Sequence, residues 1–156
     1  MLQEILEYIH NYFVPISAKE VKYTISDGAI SPDFGAEDGD RFLVCGSRRN
    51  DGVYTFHPDA IMDDDDENVA GLRDETFAGT IRLMSVPPTI IRLSEEIREW
   101  VATYSGQLSS PMASESFNGY SYTLKSGGGT NNGGNGPLTW RDQFRTQLEQ
   151  WRRPCL

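Results

Sequence analysis

Serine, histidine and aspartate all occur in this chain, so the first chemistry to test is nucleophilic hydrolysis. A nucleophile elbow needs Gly-x-Ser-x-Gly on a turn between a strand and a helix. The nearest match is Gly-Tyr-Ser-Tyr-Thr at 119–123, which lacks the second glycine and precedes no helical pattern. His10 and His57 are the two candidate bases, and each falls at the end of a predicted element. The sequence therefore does not predict a hydrolase.

An acidic run at 63–67 suggests calcium binding, because Ca²⁺ prefers oxygen ligands. An EF-hand loop places its ligands at alternate positions around a glycine in the middle of the loop. The run Asp-Asp-Asp-Asp-Glu is consecutive and contains no glycine, so its side chains cannot all face one ion. We expect a solvated acidic loop, with a metal-binding module at 63–67 as the lesser alternative.

Other cofactor motifs are incomplete. The glycine-rich stretch at 127–134 is not followed by Gly-Lys-Ser/Thr, so it is not a phosphate-binding loop. Cys45 and Cys155 form neither a disulfide framework nor a zinc set. We therefore predict a protein that is not an enzyme and that holds no cofactor or metal.

Hydrophobic periodicity predicts an α+β fold. An apolar stripe at helical spacing begins at Leu2, and Tyr12 and Phe13 widen it, so a first helix is expected to end before Pro15. Alternation within 21–56 predicts a small antiparallel sheet of three or four strands. The segment 77–84 is ambiguous, although 80–83 alternates like a strand. The region 89–104 is amphipathic at helical spacing, and Gly106 is expected to cap that helix.

The composition changes after this central helix. Residues 105–136 are rich in Ser, Gly and Asn, and 127–134 has nearly pure linker composition. A last helix is expected beyond it, where Thr139 and Asp142 approximate a capping box. We expect three parts: an α+β core at 1–106, a flexible or extended arm with a glycine-rich linker at 107–136, and a C-terminal docking helix at 137–156.

The charge is distributed unevenly. The chain has 14 Lys and Arg against 23 Asp and Glu, a net charge of −9. From 137 onward, four arginines outnumber Asp142 and Glu149, so this segment is positive. Non-specific nucleic-acid affinity depends on cations that neutralise phosphates, so a DNA-binding module is not expected. No apolar run approaches the ~20 residues that span a bilayer, so no membrane partner is expected.

The C-terminal segment carries the residue types that dominate protein–protein hot spots. A glycine-rich linker of roughly ten residues leaves it free to sample other surfaces. We expect it to dock on another chain, and the alternative is that it folds back as the last core helix. The expected interface residues are Trp140, Phe144, Arg145, Leu148, Trp151, Arg152 and Arg153.

Several strings in the chain resemble those of one protein family. They are Asn-Asp-Gly-Val-Tyr at 50–54, Asp-Glu-Thr-Phe-Ala-Gly at 74–79, Met-Ser-Val-Pro at 84–87, Ser-Glu-Ser-Phe-Asn-Gly-Tyr-Ser-Tyr-Thr at 114–123 and Trp-Arg-Arg at 151–153. The resemblance is to the head–tail connector (adaptor) proteins of tailed phages and prophages of Clostridia-like bacteria. It covers most of the chain, and the string at 114–123 is its most specific part.

The resemblance implies a structural protein of the virion, assembled in the host cytoplasm and located at the head–tail interface. It implies a ring, typically of twelve copies, beneath the portal protein, with DNA passing through the lumen without specific binding. The C-terminal segment would grip the portal, and an extended arm would contact a neighbouring subunit. The residues expected in that arm are Phe117, Gly119, Tyr120, Ser121 and Tyr122.

One departure from the family leaves an alternative open. The commoner adaptors are mostly helical, whereas this chain has a β-rich region at 21–56. The alternative is a head–tail stopper or tail-completion protein, one layer lower, whose partner is the tail tube.

Overall fold

The computed structural model describes residues 1–108, 114–117, 120–123 and 139–153 of the chain. The fold is α+β, as the sequence predicts. The helices are α1 (Leu2–Tyr8), α2 (Pro88–Leu108), α3 (Trp140–Gln143) and α4 (Arg145–Glu149). The strands are β1 (Val21–Ser26), β2 (Ala29–Ser31), β3 (Arg41–Cys45), β4 (Gly52–His57), β5 (Ala60–Met62), β6 (Glu75–Leu83), β7 (Ser114–Phe117) and β8 (Tyr120–Thr123).

The chain divides into two compact units. One consists of Met1–Ser94 together with Trp151–Leu156, and the other is Glu95–Gln150. The first unit holds α1 and the strands β1 to β6, and the second holds β7, β8, α3 and α4. The three-part division predicted from composition, at 106 and 136, stays a prediction.

The first unit is built on a six-stranded antiparallel sheet in the order β2-β1-β6-β3-β4-β5. Strand β6 is central, because its first half pairs with β1 and its second half pairs with β3. The sheet is thus larger than the predicted three or four strands. The ambiguous segment 77–84 forms most of β6, because its alternating residues pair with strands on both sides.

Gly79 marks the point where β6 changes partner. It is the last β6 residue paired with β1, and the next residue, Thr80, lies opposite Cys45 of β3. A Cβ atom on Gly79 would overlap the carbonyl oxygen of Cys45. A glycine is needed here because the two backbones approach too closely for any side chain.

One face of the sheet carries an aromatic-rich core. Its buried members are Tyr23, Ile25, Phe42, Val44, Ile61 and Phe77. Phe34, from the loop before β3, closes over this core with its ring centroid 4.8 Å from that of Phe42 and 6.0 Å from that of Phe56. Leu43 and Val53 lie opposite each other in the register and are also buried. By strand alternation they belong to the other face of the sheet.

Helix α1 is shorter than predicted. Leu2, Ile5 and Leu6 are buried, as its stripe predicts, but the helix ends at Tyr8. His10 follows with φ +53°, its N–H donates to the Glu7 carbonyl, and the Asn11 N–H donates to the Leu6 carbonyl. These two bonds form a Schellman cap, which usually uses glycine at the position that His10 fills. The expectation that the helix continues through Tyr12 and Phe13 is wrong.

Helix α2 extends past its expected end. It starts at Pro88, which suits a first turn because proline lacks only an N–H that the helix leaves unpaired. It continues through Gly106 to Leu108. The prediction that Gly106 caps this helix is therefore wrong.

Replacing Gly79 with alanine tests the close approach of β6 to β3. Gly79→Ala should lower the free energy of unfolding by about 1–3 kcal/mol, because the new methyl group must displace the backbone of Cys45. Gly71→Ala is the matched control, since Gly71 is exposed and a Cβ there meets nothing within 4 Å. Urea denaturation should place the control within about 0.5 kcal/mol of the wild type. Equal effects of the two substitutions would contradict this assignment of Gly79.

Candidate functional site

The C-terminal helical segment begins at the capping box that the sequence predicts. The Asp142 N–H donates to the Thr139 side chain, and the Thr139 N–H donates to the Asp142 carboxylate at 3.1 Å. Hydrogen bonds from Thr139 hold the pKa of Asp142 below its ordinary value. The segment is not one helix, however, because it breaks at Phe144 into α3 and α4.

Aromatic residues collect in the second unit. The ring of Phe144 meets Trp100 edge-on at 6.2 Å between centroids, and Trp100 also lies 5.3 Å from Tyr104. All three are only partly buried, whereas Leu148 is fully buried. Partly exposed aromatic groups of this kind are enriched at protein interfaces.

Two arginines lie in the same helical segment as Phe144. The Arg141 guanidinium lies over the Trp140 ring, 5.3 Å from its centroid. Arg145 is exposed and bonds the Glu149 carboxylate at 3.0 Å, one helical turn away. An exposed pair of this kind contributes little to stability, so Arg145 stays available for a partner at small cost.

Residues 151–153, which we name the C-terminal strap, lie against the end of α1 in the first unit. The Asn11 side-chain amide donates to the Trp151 carbonyl at 3.1 Å, and the Arg153 N–H donates to the Ile9 carbonyl at 3.0 Å. The Trp151 ring meets Phe13 edge-on at 6.0 Å. The strap therefore already has a binding surface on its own chain. It consists of Ile9, Asn11 and Phe13, and we name it the seat.

The predicted interface residues thus fall into two groups. Trp140, Phe144, Arg145 and Leu148 belong to one unit, and the strap belongs to the other. Docking of this segment on another chain stays a prediction. The structure adds that Leu148 is fully buried and Trp151 half-buried within the chain.

The predicted arm contains the strands β7 and β8, which we name the β7–β8 ribbon. Phe117 pairs with Tyr120, Ser116 with Ser121 and Glu115 with Tyr122 in antiparallel register. The ribbon forms a sheet of its own and joins no other described strand. Gly119 and the linker at 127–134 lie outside the described residues.

The acidic run makes structural contacts that the sequence does not reveal. The carboxylate of Asp64 accepts from the Gln3 N–H at 2.8 Å, and that of Asp65 accepts from the Leu2 N–H at 3.2 Å. Both also lie within 3.1 Å of the Met1 ammonium. Burial alone would lower the pKa of that ammonium, but its hydrogen bonds to Asp65 and Asp64 raise it.

The other aspartates of the run point elsewhere. Asp63 accepts hydrogen bonds from the Glu67 N–H and the Asn68 amide, each at 2.9 Å. Burial alone would raise the pKa of Asp63, but these bonds lower it. Asp63, Asp64 and Asp65 are half-buried, so a purely solvated loop is the wrong description of them. Among the described residues, no group of three His, Cys, Asp or Glu is placed to hold a metal ion.

His57 lies between two carboxylates. Its Nδ1 is 2.6 Å from Asp38 and its Nε2 is 2.7 Å from Asp66. Ionised carboxylates only accept hydrogen bonds, so both contacts are satisfied together only by the doubly protonated ring. Hydrogen bonds to Asp38 and then to Asp66 raise the pKa of His57 above 6.5. The His57 ring, at the end of β4, therefore links the loop that contains Asp38 to the loop that contains Asp66. The sequence does not reveal this link.

Two of the family-like strings meet in the structure. The Asn50 side chain is buried and exchanges two hydrogen bonds with the Arg73 backbone, at 2.8 and 2.9 Å. It also donates to Glu75, which accepts the Ser47 hydroxyl at 2.6 Å. The bond from Ser47 and those from nearby backbone N–H groups lower the pKa of Glu75. These hydrogen bonds therefore anchor the turn that contains Ser47 and Asn50 to the start of β6.

The carboxylates at the start of α1 can be tested by substitution. Asp64→Ala should lower the free energy of unfolding by about 0.5–2 kcal/mol, because it removes the acceptor of the Gln3 N–H and one acceptor of the Met1 ammonium. Asp64→Asn keeps an acceptor and should lose less. Asp59→Ala removes a charge from an exposed position and is the control. Urea denaturation measures the free energy of unfolding of all three variants. A loss in Asp59→Ala as large as that in Asp64→Ala would contradict this role of Asp64.

The stability of the chain should depend on pH through His57. Because its folded pKa is raised, its contribution is full below about pH 6.5 and is lost as the pH rises through the folded pKa. The difference in unfolding free energy between wild type and His57→Gln should therefore shrink above neutral pH. An NMR titration should also show a lower His57 pKa in Asp38→Asn. An unchanged pKa of His57 in that variant would rule out its hydrogen bond to Asp38.

None of the described helices is long and apolar enough to cross a membrane. No family model, curated protein or solved structure matches the chain. The likeness to head–tail connectors therefore rests on the strings at 50–54, 74–79, 84–87, 114–123 and 151–153.

Proposed function

We propose that this chain is a structural subunit of a phage head–tail connector, which acts by assembly and not by catalysis. The supporting observation is the β7–β8 ribbon, a two-stranded sheet that joins no other described strand. Two strands alone are marginally stable in water, so such a ribbon gains most by packing on another surface. The ribbon is also the segment with the most specific family-like string, at 114–123.

A second copy of the chain is the partner proposed for the ribbon. Phe117, Tyr120, Ser121 and Tyr122 would contact the neighbouring subunit, and repeated contacts of this kind close into a ring. A contact between different surfaces of identical subunits generates rings when its rotation closes. Twelve copies around the portal axis is the number that the resemblance implies.

The portal protein is the partner proposed for the C-terminal segment. Arg145, Arg152 and Arg153 are exposed, and Trp140 and Phe144 are partly exposed. Arginine and tryptophan are the residue types most enriched in interface hot spots. The positive charge of this segment would suit an acidic surface on the portal.

DNA would pass through the ring without specific binding. The described part of the first unit is rich in carboxylates, and a surface of that sign repels phosphates. An acidic lumen therefore fits a conduit, and a basic lumen would not.

Substitution within the ribbon tests assembly separately from folding. The wild type should form rings at micromolar concentration, alone or with portal protein, as native mass spectrometry can show. Tyr120→Ser with Tyr122→Ser should weaken assembly at least tenfold and leave the melting temperature unchanged, because β8 lies outside the six-stranded sheet. The control, Tyr120→Phe with Tyr122→Phe, keeps both aromatic side chains. A wild type that stays monomeric even with portal protein would contradict the proposal.

A stopper or tail-completion protein is the second candidate. The observation that favours it is the six-stranded sheet, since the commoner adaptors are mostly helical. A photo-crosslinker at the exposed position 145 should identify the partner in assembled particles. Crosslinks to the portal favour the adaptor, and crosslinks to the tail tube favour the stopper.

A further inference from the structure

The Schellman cap at the end of α1 creates a place for another segment to bind. It satisfies the carbonyls of Leu6 and Glu7 but leaves the carbonyl of Ile9, the C-cap residue, without an intrahelical donor. The Arg153 N–H fills that role at 3.0 Å. The strap therefore completes the end of a helix from which it is separated by more than 140 positions in the chain.

Asn11 holds the other side of this seat. Its side-chain oxygen accepts the Phe13 N–H at 3.1 Å, and its amide group donates to the Trp151 carbonyl at 3.1 Å. The first bond sets the turn after α1, and the second holds the strap. Phe13 has φ +52°, and its ring provides the edge-on contact with Trp151.

The strap occupies the seat, but one of its buried polar groups is not hydrogen-bonded there. The indole N–H of Trp151 is buried and meets no acceptor among the described residues. Burying a donor without a partner costs free energy, which offsets part of what the strap gains. Arg152 lies 6.0 Å from the Tyr8 ring centroid, and Arg152 and Arg153 are both exposed. The contacts described for the strap are two hydrogen bonds, the ring contact with Phe13 and that of Arg152 with Tyr8, and its charged groups already face solvent.

We infer that the strap is a latch, seated on α1 in the free subunit and released when a partner binds it. The inference rests on the proposed function, because it concerns the segment proposed to bind the portal. The residues at the end of α1 and just after it occupy the Trp151 carbonyl, the Arg153 N–H and part of the indole ring surface, so a partner must compete with them. The fitting partner surface is an apolar pocket with a hydrogen-bond acceptor for the indole and carboxylates for Arg152 and Arg153.

A latch lowers the apparent affinity for the partner. Only the released fraction of the strap binds, so the apparent Kd is the intrinsic Kd divided by that fraction. Weakening the seat without changing the strap must therefore strengthen partner binding. A strap that only stabilises the fold would show no such gain.

Asn11→Asp is the sharpest variant for this test. It keeps the oxygen that accepts the Phe13 N–H but replaces the donor to the Trp151 carbonyl with a second oxygen. Phe13→Leu removes the ring contact and is a second, independent variant. His10→Asn is the control, because His10 is exposed and asparagine tolerates its left-handed backbone.

Two measurements on the full-length chain test the latch. The indole N–H signal of Trp151 in a ¹⁵N correlation spectrum, assigned by its loss in Trp151→Phe, should move toward the solvent-exposed position in Asn11→Asp and Phe13→Leu. The affinity for purified portal protein should rise about 3- to 10-fold in both variants, the effect of one hydrogen bond or ring contact. Measurements at raised salt remove any attraction between the new carboxylate and the arginines. His10→Asn should match the wild type in both.

The possible failures are distinguishable. If the wild type binds the portal and the released variants bind it no more tightly, the latch is wrong and the proposed function stands. If the indole signal stays unmoved in both variants, the seat does not hold the strap and the latch is also wrong. If wild type and variants alike show no binding to the portal, the proposed function fails and the latch fails with it.

Discussion

Helix α1 has seven residues, and a helix that short is not stable in water by itself. Its apolar side makes part of the core, but each end also leaves backbone groups that need partners. Asp64 and Asp65 provide acceptors at its beginning, and the Arg153 N–H provides a donor at its end. The helix is therefore held by two distant parts of the chain, the acidic run and the strap, and it fixes both in place.

This dependence explains an acidic run that would otherwise look like a solvated surface. Consecutive like charges repel one another, and a hydrogen-bond donor for each carboxylate offsets that repulsion. Asp63 binds within its loop, Asp64 and Asp65 bind the start of α1, and Asp66 contacts His57. The side chains point in three directions, and this arrangement serves helix capping and loop anchoring better than it would serve a single ion.

Local patterns predicted local structure well. The apolar stripe from Leu2 indicated α1, alternation indicated the strands, and Thr139 with Asp142 indicated a capping box that the structure contains. The end of α1 was missed because His10 occupies a position where glycine is the usual signal. The pairing of β6 with β1 and β3 was also missed, since periodicity within a segment does not identify its neighbours.

The candidate site shows the same limit more strongly. Residue types and charge singled out the C-terminal segment, but they could not show that Trp151 lies on Asn11 and Phe13, about 140 positions earlier. The contacts of Asp64 and of His57 also join positions that no local pattern relates. Composition can thus indicate which residues are suited to binding, whereas only the fold shows which of them already have a partner.

That distinction matters for the proposed function, in which the chain acts by assembly. A segment suited to an interface is also suited to bind its own chain, and the two choices compete for the same atoms. Here the strap satisfies the end of α1, while α1 is held at its other end by the acidic run. Removing the strap would leave the Ile9 carbonyl to water but would not touch the bonds at Asp64. A seven-residue helix held at both ends can therefore release one end and remain folded.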